Sequence, residues 1–160
     1  MKTFLALCLC SVLLSFQHFS DLRNQYEYAS KSKNNTEKFY ELTQKTTGDS
    51  PVLIAYKGAA TLLKSRFATN KEERKEQFML GVKAVEQAIT KEGNNVEIRL
   101  IRLSIQEHTP KFLKYKENIE EDKKIIVQNF NKQNTALKEY IQRYITQSKV
   151  FTDTEKSKLN

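Results

Sequence analysis

Arg99, Arg102 and Gln106 stand at i, i+3 and i+7 inside one apolar run, NVEIRLIRLSIQ, residues 95–106. At about 100° per residue, these three positions fall on one stripe of a helix. Ile98, Ile101 and Ile105 share the face on one side of it, and Leu100 and Leu103 share the face on the other. Glu97 and Ser104 occupy the narrower gap opposite. A helix with two apolar flanks packs against neighbours on both sides, so the guanidinium stripe is expected to line an inter-helix groove.

Two roles fit that chemistry. The arginine stems can cover apolar surface while their heads pair with carboxylates of the same fold, for which Glu86, Glu120, Glu121 and Asp122 are candidates. Alternatively, the forks face outward and receive a carboxylate or phosphate, which guanidinium geometry suits. The partner-binding site expected on the second role is Arg99, Arg102, Gln106 and Glu97, taking a protein or peptide with acidic groups. The sequence leaves both roles open.

Other reactive groups are sparse. His108 is the only histidine beyond residue 20, placed just before Thr109 and Pro110, where a histidine commonly meets the last carbonyls of a helix. A lone histidine makes a poor metal site. Glu120, Glu121 and Asp122 are consecutive and point apart on a helix, so they read as a solvated helix start. No metal, cofactor or enzymatic reaction is expected, although a pair of catalytic carboxylates would leave no signature in the sequence. Tyr140 and Tyr144 are read as packing residues or as the edge for a partner helix. Asn34-Asn35-Thr36 matches a glycosylation sequon.

Charge narrows the partner. Lysines and arginines number 27 against 19 acidic residues, giving a net charge of +8, but the signs are interleaved, as in KEERKE at 71–76. That is the pattern of a solvated helical surface, and a nucleic-acid partner is not expected. Contact with a membrane surface is compatible with the net charge, and the oligomeric state is left undetermined.

The elements that must position these groups are helical. Only four glycines and two prolines interrupt the chain, which favours long helices. Apolar spacing yields seven or eight segments. They begin near Asp21–Lys31 (broken by Asn34 and Asn35), at Thr36, at Pro51–Phe67 after the GDSP restart, and in a polar connector at 69–77 that becomes the first turn of the fourth helix. They continue at Asn95–Glu107, near Glu117, after NKQN at 131–134, and after Thr152, where TDTE reads as a capping box. PKFLKY at 110–115 is expected to be a packed turn. Gly81, Val85, Ala88 and Gly93 carry the small–bulky–small–breaker spacing of a second tetratricopeptide helix, and Gly58 suits the small position of the first. The sequence between them is about eleven residues too long for that repeat.

Residues 1–20 are set apart. Lys2 precedes the uncharged stretch FLALCLCSVLLSF, the pattern of an export signal, and the stretch is shorter than the ~20 residues of a membrane span. Ser15 and Ser20 are the small residues a peptidase would favour. Cys8 and Cys10 both lie in this segment, so the remaining chain has no disulfide, thiol nucleophile or thiolate metal site. The expected organisation is an export signal at 1–20 and a single helical domain at 21–160.

The stretches NVEIRLIRLSIQ, TPKFLKY and NIEEDKK, with AYKGAA at 55–60, are similar to an uncharacterised family of small exported, tetratricopeptide-like helical proteins of Gram-negative bacteria. Asn95, Glu97, Arg99, Arg102, Gln106, Pro110, Phe112 and Tyr115 carry the resemblance, which extends over most of the chain after the signal. Gly93 stands where such repeats usually have proline. The resemblance implies export, to periplasm or medium, and an all-α array of antiparallel hairpins stacked in a tetratricopeptide-like manner; it implies no reaction. The expected function is therefore that of a non-enzymatic module binding a protein or peptide, with a peripheral envelope protein held at the membrane, or an enzyme of unrecognised type, as alternatives.

Overall fold

The computed structural model describes residues 19–159, all of whose regular elements are helical. Only the last two residues of the 1–20 export-signal reading fall within that range, and they are helical; both cysteines lie outside the described residues. Eight α-helices follow in order: α1 (19–29), α2 (Lys33–Lys45), α3 (Pro51–Ser65), α4 (Lys71–Lys91), α5 (Val96–His108), α6 (Ile119–Asn129), α7 (Thr135–Gln147) and α8 (Asp153–Ser157). Short 3-10 turns at Lys111–Leu113 and Phe130–Lys132 precede and follow α6.

Side-chain caps set most of the starts. Ser32, Ser50, Asn70, Asn95, Asn134 and Thr152 each accept a backbone N–H of the first turn that follows, which satisfies donors a helix cannot satisfy internally. Pro51 takes the first position of α3, where its missing N–H costs nothing. Thr152 and Glu155 complete the capping box.

The structure differs from the sequence reading at several boundaries. Asn34 and Asn35 do not break a helix; Ser32 is the cap and both asparagines lie in the first turn of α2. Thr36, expected as that cap, instead turns its hydroxyl to the Ala29 carbonyl at 2.7 Å and is buried. The helix reaches further into the polar stretch 69–77 than the one turn expected, because Asn70 caps α4 and everything from Lys71 onward is wound. The surplus residues between Gly58 and Gly81 are therefore extra helical turns, joined by a connector of only 66–70.

α3 and α4 form an antiparallel hairpin pressed together at glycine. A Cβ on Gly58 would lie 2.8 Å from the Gly81 carbonyl oxygen and 2.9 Å from Val85, and one on Gly81 would lie 2.5 Å from Leu62 Cγ. Only a residue without Cβ permits that approach.

α5 is the central helix. Ile98 and Ile101 enter a core formed with Leu22, Phe39, Leu53, Tyr56 and Ala88, and Ile105 packs on its edge. Val96, Leu100 and Leu103 enter a second core with Ile126, Phe130, Leu137, Tyr140 and Ile141. Tyr26 of α1 packs against both. The two apolar flanks of α5 are thus real, and each is covered. Tyr140 is core, and Tyr144 packs partly buried against it.

Candidate functional site

The polar stripe of α5 meets the start of α6 and the side of α4. Asp122, in the first turn of α6, is fully buried and receives both arginines. Arg102 donates through Nε to Oδ2 at 2.9 Å and through NH2 to Oδ1 at 2.7 Å, a two-point fork. Its NH1 reaches Glu86 of α4 at 2.9 Å, and NH2 also reaches Glu121 at 3.3 Å. Arg99 donates to Asp122 at 2.8 Å, to Glu121 at 3.0 Å and, through Nε, to the Gly93 carbonyl at 2.5 Å.

Elementary electrostatics explains the arrangement. Two guanidinium groups buried at 5% and 3% exposure require carboxylates and hydrogen bonds to offset desolvation. Burial disfavours the charged Arg102, yet its bonds to Asp122 and Glu86 outweigh that and raise its pKa above the ordinary arginine value. Slight desolvation likewise pushes Glu121 up, and the charge of Arg99 overcomes it and holds the carboxyl below its ordinary range. Glu86 accepts in addition from the Tyr115 hydroxyl at 2.6 Å, whose pKa is pushed up by burial and by that carboxylate.

Gln106 completes the same seam in neutral form. Its amide donates to Asn118 Oδ1 at 3.1 Å and accepts from the Asn118 backbone N–H at 3.2 Å. Asn118 flanks the N-terminus of α6 without capping it by side chain, so Gln106 seats that terminus on α5. Glu97 lies on the opposite edge of α5, away from the arginine seam, and is buried. There it takes a fork from Arg23 of α1, at 2.9 and 2.6 Å, and the Tyr56 hydroxyl at 2.7 Å. Ser104, in the same gap, bonds the Tyr26 hydroxyl at 2.7 Å.

Of the two roles the arginine stripe allowed, the geometry is therefore that of the internal one. Arg99, Arg102 and Gln106 are brought together, but their donors already hold this chain's own acceptors. The expectation that these residues, with Glu97, form an open partner-binding groove gives way to an intramolecular clamp joining α4, α5 and α6, with Glu97 joining α1 and α3 separately. Asp122 is the further correction: expected at a solvated helix start, it is the centre of the clamp. Glu120 does remain 82% exposed and pairs with Lys123. His108 Nδ1 lies 2.9 Å from the Ser104 carbonyl, at the end of α5 as expected.

The surfaces left open are elsewhere. On the outer side of α4, Met79 and Leu80 are 56% and 54% exposed, and with Glu76, Val82 and Lys83 they line a shallow depression. Phe78 turns away from it, edge-on to the Tyr115 ring at 6.4 Å. The turn carrying Tyr115 is not packed as expected, because Phe112 is 80% exposed. Among the described residues, no group of His, Cys, Asp or Glu is arranged to hold a metal ion, and no helix is long and apolar enough to cross a membrane.

No protein-family model, curated protein or solved structure matches the chain.

Proposed function

We propose that this protein is an exported, non-enzymatic helical module that binds a protein or peptide partner, and that the outer face of α4 receives it. The observation carrying this reading is the exposure of Met79 and Leu80 beside half-buried Val82, on a helix packed closely against α3 at its glycines. Adjacent large apolar side chains in water on a long helix are a surface that gains from being covered. Glu76 and Lys83 both stand at its rim, which suits a partner with an apolar anchor flanked by groups of both signs.

The architecture proposed with it is a tetratricopeptide-like stacking of hairpins. Its support is the antiparallel α3–α4 pair, meeting through Gly58 and Gly81, followed by the α5–α6 pair. The leader-like residues 1–20 and the resemblance to a family of exported helical proteins support export, to periplasm or medium.

The test is cross-linked capture from envelope and medium fractions with three tagged forms: wild type, Met79→Asp/Leu80→Asp, and Lys57→Glu on another helix. Circular dichroism establishes that each is folded. A specific partner held by wild type and Lys57→Glu but lost by the α4 variant is the expected result. A partner retained by all three would remove α4 as the site, and a bound small molecule turned over by the protein would replace the binding reading with the enzymatic one.

A further inference from the structure

The turn between α5 and α6 has a chemistry of its own. In Pro110-Lys111-Phe112-Leu113-Lys114-Tyr115-Lys116, Phe112 is 80% and Leu113 38% exposed, between lysines that are themselves on the surface. A ring with most of its area in water protrudes rather than lining a hollow. A rigid protein would need a matching pocket to cover it, whereas a lipid interface accepts a protruding ring wherever it arrives.

The turn is built to hold that ring outward. The Leu113 amide donates to the Pro110 carbonyl at 3.0 Å and the Lys114 amide to the Lys111 carbonyl at 3.1 Å, closing a 3-10 turn. Lys114 then takes a left-handed conformation, φ 49°, and is the one described residue other than glycine with positive φ. Such a conformation is unfavourable for a long side chain and persists only where its surroundings fix it. Here the next two residues do so: Tyr115 is anchored to Glu86 and meets the Phe78 ring edge-on, and Lys116 Nζ bonds the Glu107 backbone carbonyl at 2.8 Å.

Charge decides between possible surfaces. Lys111, Lys114 and Lys116 lie within six residues, opposed locally by Glu117. The carboxylate that touches the turn, Glu86, is already paired with Arg102 and accepts from Tyr115, while the Glu107 carboxylate is directed to Tyr144, Ser148 and the Lys149 amide at the end of α7. The tip thus presents an apolar point within a basic collar.

We propose that this tip docks on an anionic lipid surface, with Phe112 and Leu113 entering the interface and Lys111 and Lys114 pairing with acidic headgroups. The contact is peripheral and independent of the α4 reading. Lysine stems can lie along the interface while their ammonium groups remain at headgroup level.

The chain contains no tryptophan, so Phe112→Trp in the full-length protein gives a fluorophore at the tip alone. Because Phe112 is exposed, the variant is expected to retain the wild-type circular dichroism. Its emission is expected to shift to the blue with vesicles containing phosphatidylglycerol, but not with phosphatidylcholine alone, and to return when salt is raised, since screening shortens from ~10 Å at 0.1 M to ~3 Å at 1 M. Adding Lys111→Glu/Lys114→Glu is expected to weaken partitioning by at least about fivefold for each lysine lost. Protein that pellets with vesicles while the tryptophan emission stays unchanged would overturn the proposal, because residues outside the tip would then do the binding. Equal shifts with both lipids, no association at low salt, or a shift produced only by solubilised envelope proteins would each overturn it as well.

Discussion

Asp122 and Arg102 form a two-point carboxylate–guanidinium fork in which the carboxylate is fully buried and the arginine nearly so. Removing one member of such a pair leaves the other charged in a low-dielectric interior, at a cost of about 3–5 kcal/mol. Asp122→Ala is expected to lose that much in urea denaturation and to affect both arginines. Glu120→Ala, two residues earlier, removes a carboxylate that is itself 82% exposed and leaves its buried partner Lys123 paired with Glu155, so it is expected to cost less than about 1 kcal/mol. Equal losses for the two variants would show that the clamp adds nothing beyond a surface ion pair.

Arg99→Glu/Arg102→Glu is the sharper form of the same prediction. Reversal places two carboxylates against Asp122, Glu86 and Glu121 with no cation between them. The expected outcome is loss of the helical circular dichroism at neutral pH. A folded double variant of unchanged stability would mean that the seam opens to solvent far more readily than its burial indicates.

The helices and the two-flank character of α5 were legible because 3.6-residue periodicity and capping residues are local signals. Ile98 and Ile101 on one side and Leu100 and Leu103 on the other do enter separate cores. The carboxylate partners Glu86, Glu121 and Asp122 were legible only as candidates. Which of them is buried depends on how α6 lies against α5, and consecutive acidic residues at a helix start look the same in sequence whether they face water or arginine. The α4 start was legible only as falling within 69–77, because KEERKE has no apolar period to fix its boundary; Asn70 as a cap was the available signal. The outward ring of Phe112 was missed because an aromatic beside leucine and proline reads as packing; only the backbone path through Lys114 turns it out.

Gly81→Ala tests the hairpin contact through a competition of known signs. Glycine within a helix costs about 1 kcal/mol relative to alanine, so an unhindered substitution would stabilise. Here the new Cβ meets Leu62 Cγ at 2.5 Å, the Gly58 carbonyl at 2.7 Å and the Leu62 amide nitrogen at 2.9 Å. Two of those are backbone atoms that cannot move without separating the helices, and overpacking of this kind costs about 1–3 kcal/mol. The net effect is expected to be destabilising, with a lower melting temperature. A rise would show that α3 and α4 part without loss.

Acid is expected to weaken the fold through Glu107 and Glu121. Desolvation pushes the Glu107 carboxyl up, but bonds from the Tyr144 hydroxyl, the Lys149 amide and the Ser148 hydroxyl prevail and hold it below 4.5. A carboxylate lowered on folding contributes stability that is fully present above its unfolded value and is lost as pH falls through its folded value. Melting temperature should therefore be flat above about pH 5 and decline below pH 4.5. Glu107→Gln should be less stable than wild type at neutral pH and should show a shallower decline. Parallel curves would remove Glu107 from the account.

Alkali acts on the buried tyrosines with the opposite sign. Burial pushes Tyr26 up to about 12, with its bond to Ser104 only partly opposing. Burial also drives Tyr56 and Tyr140 well above 10.0, with nearby phenol and carboxylate groups adding to the rise. A group raised on folding contributes stability that is present below its unfolded value, about 10 for tyrosine, and lost as pH climbs through the folded one. The native rings therefore resist ionisation, and the unfolded chain takes up hydroxide first. Phenolate absorbance at these positions is expected to appear together with the loss of helical circular dichroism, in one transition above pH 10. Tyr56→Phe removes one of the three phenols and also one of the donors to Glu97, so it should lower stability at neutral pH yet flatten the alkaline decline. Phenolate absorbance rising to completion while the helices stay intact would mean that water reaches these rings in the native state, and that the core around α5 is open on that side.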